Sequence, residues 1–539
     1  MATAASLIAG PSVPPEATPI KQGLQWLDWV IIVAYLGGVI ALGGFFAKRQ
    51  SSVGEYFIAS RKHIHPVLVG ISIYAALLST ISYLGKPGEV IGKGPVILIG
   101  QFLSIPLVYL AVAYWLIPKL MEQRVTSAYE LLESRLGLTG RLLGAVLFIK
   151  LRVVWMGMLL YLASVAMVVF IGVDLKWAPF VSIGLGVVPL IYTSIGGLNA
   201  VVVANVVQFF LMLFGVFVSI ALITIRCGGF SWWPTEWSPN WDVQPVFSFD
   251  PYIRATVTGA LIQTLVWRIC TAGGDQMVIQ HYMATKDIAA ARRSYLITSC
   301  ATAVVTAILA ILGLALLGFF TKFPELLGPG MTIQKNADQL FPYFITNLLP
   351  VGISGLVVAA VIAAASGIDT GVNAVTAVVM RDFLHRFGWR AGSEAQNMRV
   401  TKCMSFGIGF AVVGASLLVQ KVPGNFLEMS GKLGALEATV IFGLFYLALF
   451  VRCATPLGAV LGVIAGLSST VLVAFWDVLT GRPAISFLYI GVIGITCSLG
   501  VGYLTSRFGP PRDRAKRSLA FGVIFVALLA ILIALLLTR

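Results

Sequence analysis

Apolar stretches of about 20 residues recur from Trp26 almost to the carboxyl end, and nothing else constrains this chain as strongly. A bilayer core is about 30 Å thick, and a helix needs about 20 residues to cross it. Such stretches lie at about 26–47, 66–91, 95–120, 142–171, 179–195, 200–225, 255–278 and 295–320. Others follow at about 351–383, 401–418, 427–450, 457–476, 487–505 and 519–537. The chain therefore reads as an all-α polytopic membrane protein with about fourteen transmembrane helices. Composition excludes the soluble alternative, because only 11% of residues are charged and 58% are hydrophobic, against about 25% charged in soluble domains. Residues 24–539 are expected to form one membrane domain after a short disordered lead, 1–23. That lead has no basic region followed by an apolar core, so it does not read as a cleavable signal.

A net charge of +15 raises the question of nucleic acid. The basic residues, however, fall in short loops between apolar spans. Lys48, Arg49, Arg61 and Lys62 lie on one side, joined there by Lys119, Arg124 and Arg135, then Lys286, Arg292 and Arg293. Arg386, Arg390, Arg399, Lys402 and Arg507–Arg517 continue the same side. Cytoplasmic loops carry this excess, so a nucleic-acid partner is set aside and both termini are expected outside a cell (inner) membrane. The six cysteines show neither metal-site spacing nor a disulfide framework.

The segment 356–383 is where polar chemistry enters an apolar helix. Its first half is Ala, Val and Ile, and its middle carries Ser366, Gly367, Asp369, Thr370 and Asn373. Ser and Thr can be bonded back to their own helix, but a carboxylate near mid-membrane is costly unless it is paired or lines a polar cavity. Oxygens one turn apart also suit a hard cation. This segment reads as one wall of an ion or substrate site.

Two spans are interrupted. In the second, Ser79-Thr80-Ile81-Ser82 is followed by Gly85, Pro87 and Gly88; in the seventh, the break is Thr271-Ala272-Gly273-Gly274-Asp275. Interrupted helices at corresponding places in two halves point to a transporter site near the midplane, whereas either break alone would be an ordinary kink. The halves would be about 66–226 and 254–450, five spans each, with flanking helices at 26–47 and 457–537.

The segment 192–212, YTSIGGLNAVVVANVVQFFLM, resembles the Tyr-Thr…Gly-Gly-Leu…Gln signature of the sodium/solute symporter family. Segment 273–296, GGDQMVIQHYMATKDIAAARRSYL, is similar to that family's Asp-Gln segment, and 356–383 is similar to its sodium-binding helix ending in Met380-Arg381-Asp382. The resemblance covers about 28–449. It implies a LeuT-like five-plus-five inverted repeat, alternating access and solute uptake driven by sodium, with no cofactor beyond that coupling ion. It also implies a main sodium site at Ala75, Leu78, Ala363, Ser366 and Gly367, although relatives usually carry a hydroxyl where this chain has Gly367.

A second ion site in some relatives uses an Asp preceded by Thr, where this chain has Asn205 after Ala204. Asp369 and Thr370 stand where those relatives carry hydroxyls, so a carboxylate moved across the site is one reading. A protonated or paired Asp369 that binds no ion is another, and proton coupling a third. The family's solute contacts fall on Gln101, Ser104 and the first break (Ser79, Ser82), with Asp275 where sugar carriers have an amide.

Lys86, Lys150, Arg152, Arg268 and Lys432 lie inside the membrane, more cations than a neutral-sugar path requires. Arg152 or Arg268 could hold a substrate carboxylate; the alternative is an internal ion pair with Asp275, Asp369, Glu89 or Glu437. The run Gly85-Lys86-Pro87-Gly88-Glu89 is similar to the Gly-x-Pro-x-Glu of the iodide, multivitamin and monocarboxylate branch. The reading is thus sodium-coupled symport of a small anion, an organic acid foremost. A sugar or vitamin carrier is the alternative, as is a proton-coupled or uncoupled carrier. No catalytic cluster or phosphate loop suggests an enzyme, and beyond solute, sodium and lipid no protein partner is implied.

Overall fold

The computed structural model describes residues 23–47, 81–122, 128–243, 245–283, 285, 287–364, 367–420, 422 and 424–509. These residues are helical with no strand among them, as expected where the backbone must satisfy its own hydrogen bonds in lipid. Among them, eight helices are long and apolar enough to cross a membrane.

In chain order the main helices are α1 (Trp26–Ala47), α2 (Lys86–Gly92), α3 (Val96–Leu110, continuing to Met121), α4 (Ala128–Ile171) and α5 (Ala178–Cys227). Then come α6 (Val257–Gly274), α7 (Gln276–Met283), α8 (Ile288–Lys322), α9 (Ala337–Leu348) and α10 (Ile353–Ala364). The last are α11 (Gly367–Val378), α12 (Glu394–Val419), α13 (Phe426–Phe450), α14 (Pro456–Ala474) and α15 (Ile490–Phe508).

Helix starts follow capping chemistry. Thr256, Asp287, Ser393, Asn425 and Thr455 each have a side-chain oxygen accepting a backbone N–H of the first turn, which satisfies donors that a helix start leaves over. Asp28 does this at a distance. Buried in α1, its carboxylate accepts from Gly352 N (2.7 Å), Gly355 N (2.9 Å) and the Ser354 hydroxyl (2.8 Å), at the start of α10.

The boundaries differ from expectation in three places. α4 begins before its expected span and is broken at Gly137, whose φ of +71° is open to glycine. Helical structure runs unbroken from Ala178 to Cys227 where two spans were expected. Fifty residues would make a straight rod of about 75 Å, over twice the bilayer core, so two membrane-length pieces are joined through helical turns instead of a loop. The described part of the first break is likewise a wide helical turn, Ile81–Gly85, leading into Pro87. Pro87 lacks the N–H that a regular helix would use there.

The helices form two packed groups. In one, α3 lies on α6 and α8, and α8 on α2; in the other, α4, α5, α11 and α12 pack together, with α10 on α5. Helix α13 touches α4 and α6, and so borders both groups, while α14 and α15 pack on its outside.

Candidate substrate and ion site

The second break positions the most distinctive pair of charges. Helix α6 ends where Gly273 and Gly274 press onto α13; a Cβ on Gly274 would lie 3.1 Å from Phe442 N. The chain then turns extended at Asp275 (φ −87°, ψ 119°) before α7. The Asp275 carboxylate is buried and ion-paired with Arg152 Nη2 from α4. The internal-pair alternative for Arg152 is therefore realised, and its partner is Asp275. Arg152 Nε, also buried, has no hydrogen-bond partner among the described residues. A planar guanidinium offers more than one donor edge, so Asp275 orients the group and leaves the Nε edge for another acceptor.

Two tryptophans that the sequence reading did not single out flank this region. Trp155, one turn along α4 from Arg152, and Trp267, beside Arg268 on α6, stack with centroids 6.1 Å apart and planes at 29°. Both rings border Gly434 of α13, where a Cβ would meet Trp267 Nε1 at 3.1 Å and Trp155 Cζ3 at 3.2 Å. The available signal was a tryptophan within three residues of each intramembrane arginine.

Lys86 Nζ donates to Thr306 Oγ1 (2.7 Å), tying α2 to α8. Arg268, Ser82 and Gln101 are partly buried, whereas Ser104 is buried with its hydroxyl donating to Gln101 O (2.6 Å). Ser104 thus keeps only acceptor capacity for a solute. Glu89 pairs with Arg254.

For the ion sites, Ala75, Leu78, Ser79 and Ser366 lie outside the described residues, and Ala363, Gly367, Asp369 and Thr370 are described as helical backbone only. Helix α11, which bears Asp369 and Thr370, packs on α4 and on α5, which bears buried Asn205. Asn373, one turn beyond Asp369 and so on the same face, is 4% exposed, and its Oδ1 accepts no hydrogen bond from the described residues. The expectation for this helix had noted Asn373 without assigning it a role. Among the described residues no group of three or more His, Cys, Asp or Glu is placed to hold a metal ion.

Residues 56–466 match the family model described as the sodium:solute symporter family. The chain belongs to this family. A symporter relative, the sodium/sialic acid symporter NanT of Aliivibrio fischeri, is 28% identical over 502 residues, covering 90% of this chain and 94% of that protein. The sodium-dependent multivitamin transporter of Oryctolagus cuniculus is 28% identical, covering 92% of this chain and 75% of the relative. A solved Na+-coupled sialic acid symporter, substrate-bound and outward-open with a Na+ site described as novel, superimposes with a TM-score of 0.73 at 25% identity, covering 90% and 99% of the two chains. The symporter is accordingly a LeuT-like, multi-pass membrane protein that couples movement of a small solute to sodium. Its family and relatives are transporters, not enzymes.

Proposed function

We propose that this symporter carries a small organic acid inward with sodium, and that Arg152 receives the acid's carboxylate. The supporting observation is the buried, open Nε edge of Arg152 beside its Asp275 pair. Asp275 fixes the guanidinium plane, so a carboxylate meets an already oriented donor edge and the site loses little rotamer freedom on binding. Trp155 and Trp267 supply an apolar wall nearby, and Ser82, Gln101, Ser104 and Arg268 are further solute contacts. In this reading the basic loops face the cytoplasm and both termini lie outside.

Sodium occupies Ala75, Leu78, Ala363, Ser366 and Gly367 in this reading, with a second ion at Asp369, Thr370 and Asn205. Coupling then follows because an ion shifts a conformational equilibrium only by its differential affinity for the two states.

The test is thermal stability of purified protein against sodium and against potassium at constant ionic strength, followed by an organic-acid screen. Sodium is expected to raise the Tm of wild type, and Ser366→Ala or Asp369→Asn to abolish the rise. In the screen, Arg152→Gln is expected to weaken binding of the acid by about 1.5–3 kcal/mol, roughly ten- to a hundredfold. A sodium response no larger than that to potassium would sink sodium coupling, and pH titration of Asp369→Asn would then test a proton in its place. An acid bound equally well by Arg152→Gln would remove Arg152 as its carboxylate partner, and a screen in which no acid binds would leave the sugar or vitamin reading standing.

A further inference from the structure

On the face away from the basic loops, one arginine joins three separate elements. Arg254 lies just before α6. Its Nη2 donates to Glu89 of α2, its Nη1 to Glu428 of α13 (2.6 Å) and its Nε to Asp242 of the loop after α5 (2.7 Å). Glu89, 1% exposed, also accepts from Asn425 Nδ2 (2.7 Å), the cap of α13. Lys93 Nζ stands 3.6 Å from Asp242. A fourth carboxylate, Asp338 of α9, accepts from Phe426 N (3.1 Å) and packs on Gly88, where a Cβ would fall 2.9 Å from Asp338 Cα.

We propose that this Arg254 cluster is the latch of the gate on that face, that solute enters there only after Arg254 releases Glu428, and that a proton on Asp338 holds the latch shut. The proposal rests on the transporter reading and goes beyond it. Helices α2 and α6 belong to one packed group, while α13 borders both and α9 spans α2 and α4. An opening that parts α13 from the α2–α6 group on this face must therefore part Arg254 from Glu428.

The cluster is built for release. Four carboxylates (Glu89, Asp242, Asp338, Glu428) face two cations (Arg254, Lys93), and the side chains of Arg254, Asp242 and Glu428 keep 23%, 23% and 18% of their surface exposed. Water can thus replace each bond as it breaks.

Asp338 supplies the control. Burial pushes its carboxyl up to about 7, the Phe426 N–H opposes this, and the charges of Glu89 and Glu428 add to the rise. The elements packed on α9 otherwise bring Lys86 of α2, Tyr83 from the first break and, on the outer half of α4, Tyr161, while α10 brings no titratable group. Lys335 and Tyr343 are its own near neighbours in sequence. When the latch opens, Asp338 returns to water and to an ordinary carboxyl value. The latched form therefore binds the proton more tightly, acid favours closure, and closure weakens as pH rises toward about 7.

Hydrogen exchange of the full chain in lipid nanodiscs tests this with neither solute nor a sodium gradient, so failure of the organic-acid reading would leave the result interpretable. Arg254→Gln is expected to speed exchange in residues 240–256 and 425–432 about tenfold or more while 379–386 stays at the wild-type rate. Glu428→Gln, which leaves Glu89 paired, should act more weakly at the same places. After correction for intrinsic rates, wild-type opening should rise roughly tenfold between about pH 6 and about pH 8, and Asp338→Asn should be flat. Unchanged exchange in both arginine and glutamate variants, or an equal rise throughout the chain in both, overturns the latch. An Asp338→Asn slope equal to that of wild type overturns the proton control.

Discussion

Each face of the molecule carries an arginine set among carboxylates, and the two clusters join different things. On the basic-loop face, Arg141 of α4 holds Asp382 through Nε (2.8 Å) and Nη2 (2.6 Å) and Glu133 through Nη1 (2.6 Å). Asp382 lies in the wide turn after α11, and α4 and α11 belong to one packed group. On the opposite face, Arg254 ties α2 to α13 and to the loop after α5. Similar side chains therefore do unlike work. A cluster inside one group is made once, on folding, and need not break while the protein cycles. A cluster between groups is made and broken at each cycle, so full neutralisation would oppose its role. The exposures fit this division: the side chains of Arg141 and Asp382 keep 9% and 2% of their surface, and that of Arg254 keeps 23%.

The comparison is broken most directly by neutralising the tighter cluster. Asp382→Asn leaves the Arg141 charge buried with half its partners, and breaking a buried pair in this way costs about 3–5 kcal/mol. The expected result is a large fall in Tm and in recovered folded protein. Glu428→Gln, at a side chain 18% exposed, should cost about 1 kcal/mol or less. Equal losses in the two variants would mean that both clusters are permanent staples.

Sequence made one of these clusters partly visible. Met380-Arg381-Asp382 stood out as a family-like ending to a helix, yet nothing in it named Arg141, which lies 241 positions away. The Gly85–Glu89 run was likewise legible as a motif, but the partner of Glu89 sits 165 positions on. The apolar spans and the second break could be read because hydropathy and Gly-Gly-Asp are local signals. Pairings of charge are set by which helices touch, and a single sequence carries no record of that. The same limit explains Trp155 and Trp267: each reads as an ordinary apolar helix residue until α4 and α6 are brought together at Gly434. The helical run through Ala178–Cys227 escaped for a different reason, since Gly196-Gly197 is an equally good loop signal and turn signal.

A glycine sharpens the comparison at intermediate cost. Gly88 of α2 accepts the backbone of α9 so closely that a Cβ would sit 2.9 Å from Asp338 Cα. Gly88→Ala must push α9 away, an overpacking expected to cost about 1–3 kcal/mol. Because Asp338 leaves with α9, the N–H of Phe426 loses its acceptor and the opposite face should loosen first. Limited proteolysis in the 327–336 connection, compared with the 387–393 connection on the basic-loop face, reads this out. Faster cleavage at both places alike would show that the two faces are not independent.

The smallest expected effect lies at the rim of the Arg141 cluster. Arg386 donates to Glu133 Oε1 (2.7 Å), but its side chain is 42% exposed. Exposed pairs contribute about 0–1 kcal/mol and are screened by salt. Glu133 also keeps its bond to Arg141 through its other oxygen. Arg386→Gln should therefore lower stability by about 0.5 kcal/mol or less, and the loss should shrink as salt is raised. A double-mutant cycle with Asp382→Asn carries the sharper information. If Glu133 serves only to complete Arg141, removing Asp382 leaves its bond to Arg386 unchanged, so the two losses add with little coupling. A coupling above about 1 kcal/mol would instead make Arg386, Glu133, Arg141 and Asp382 one network running from solvent into the buried turn. The basic-loop face would then be held as cooperatively as the cluster that has to let go.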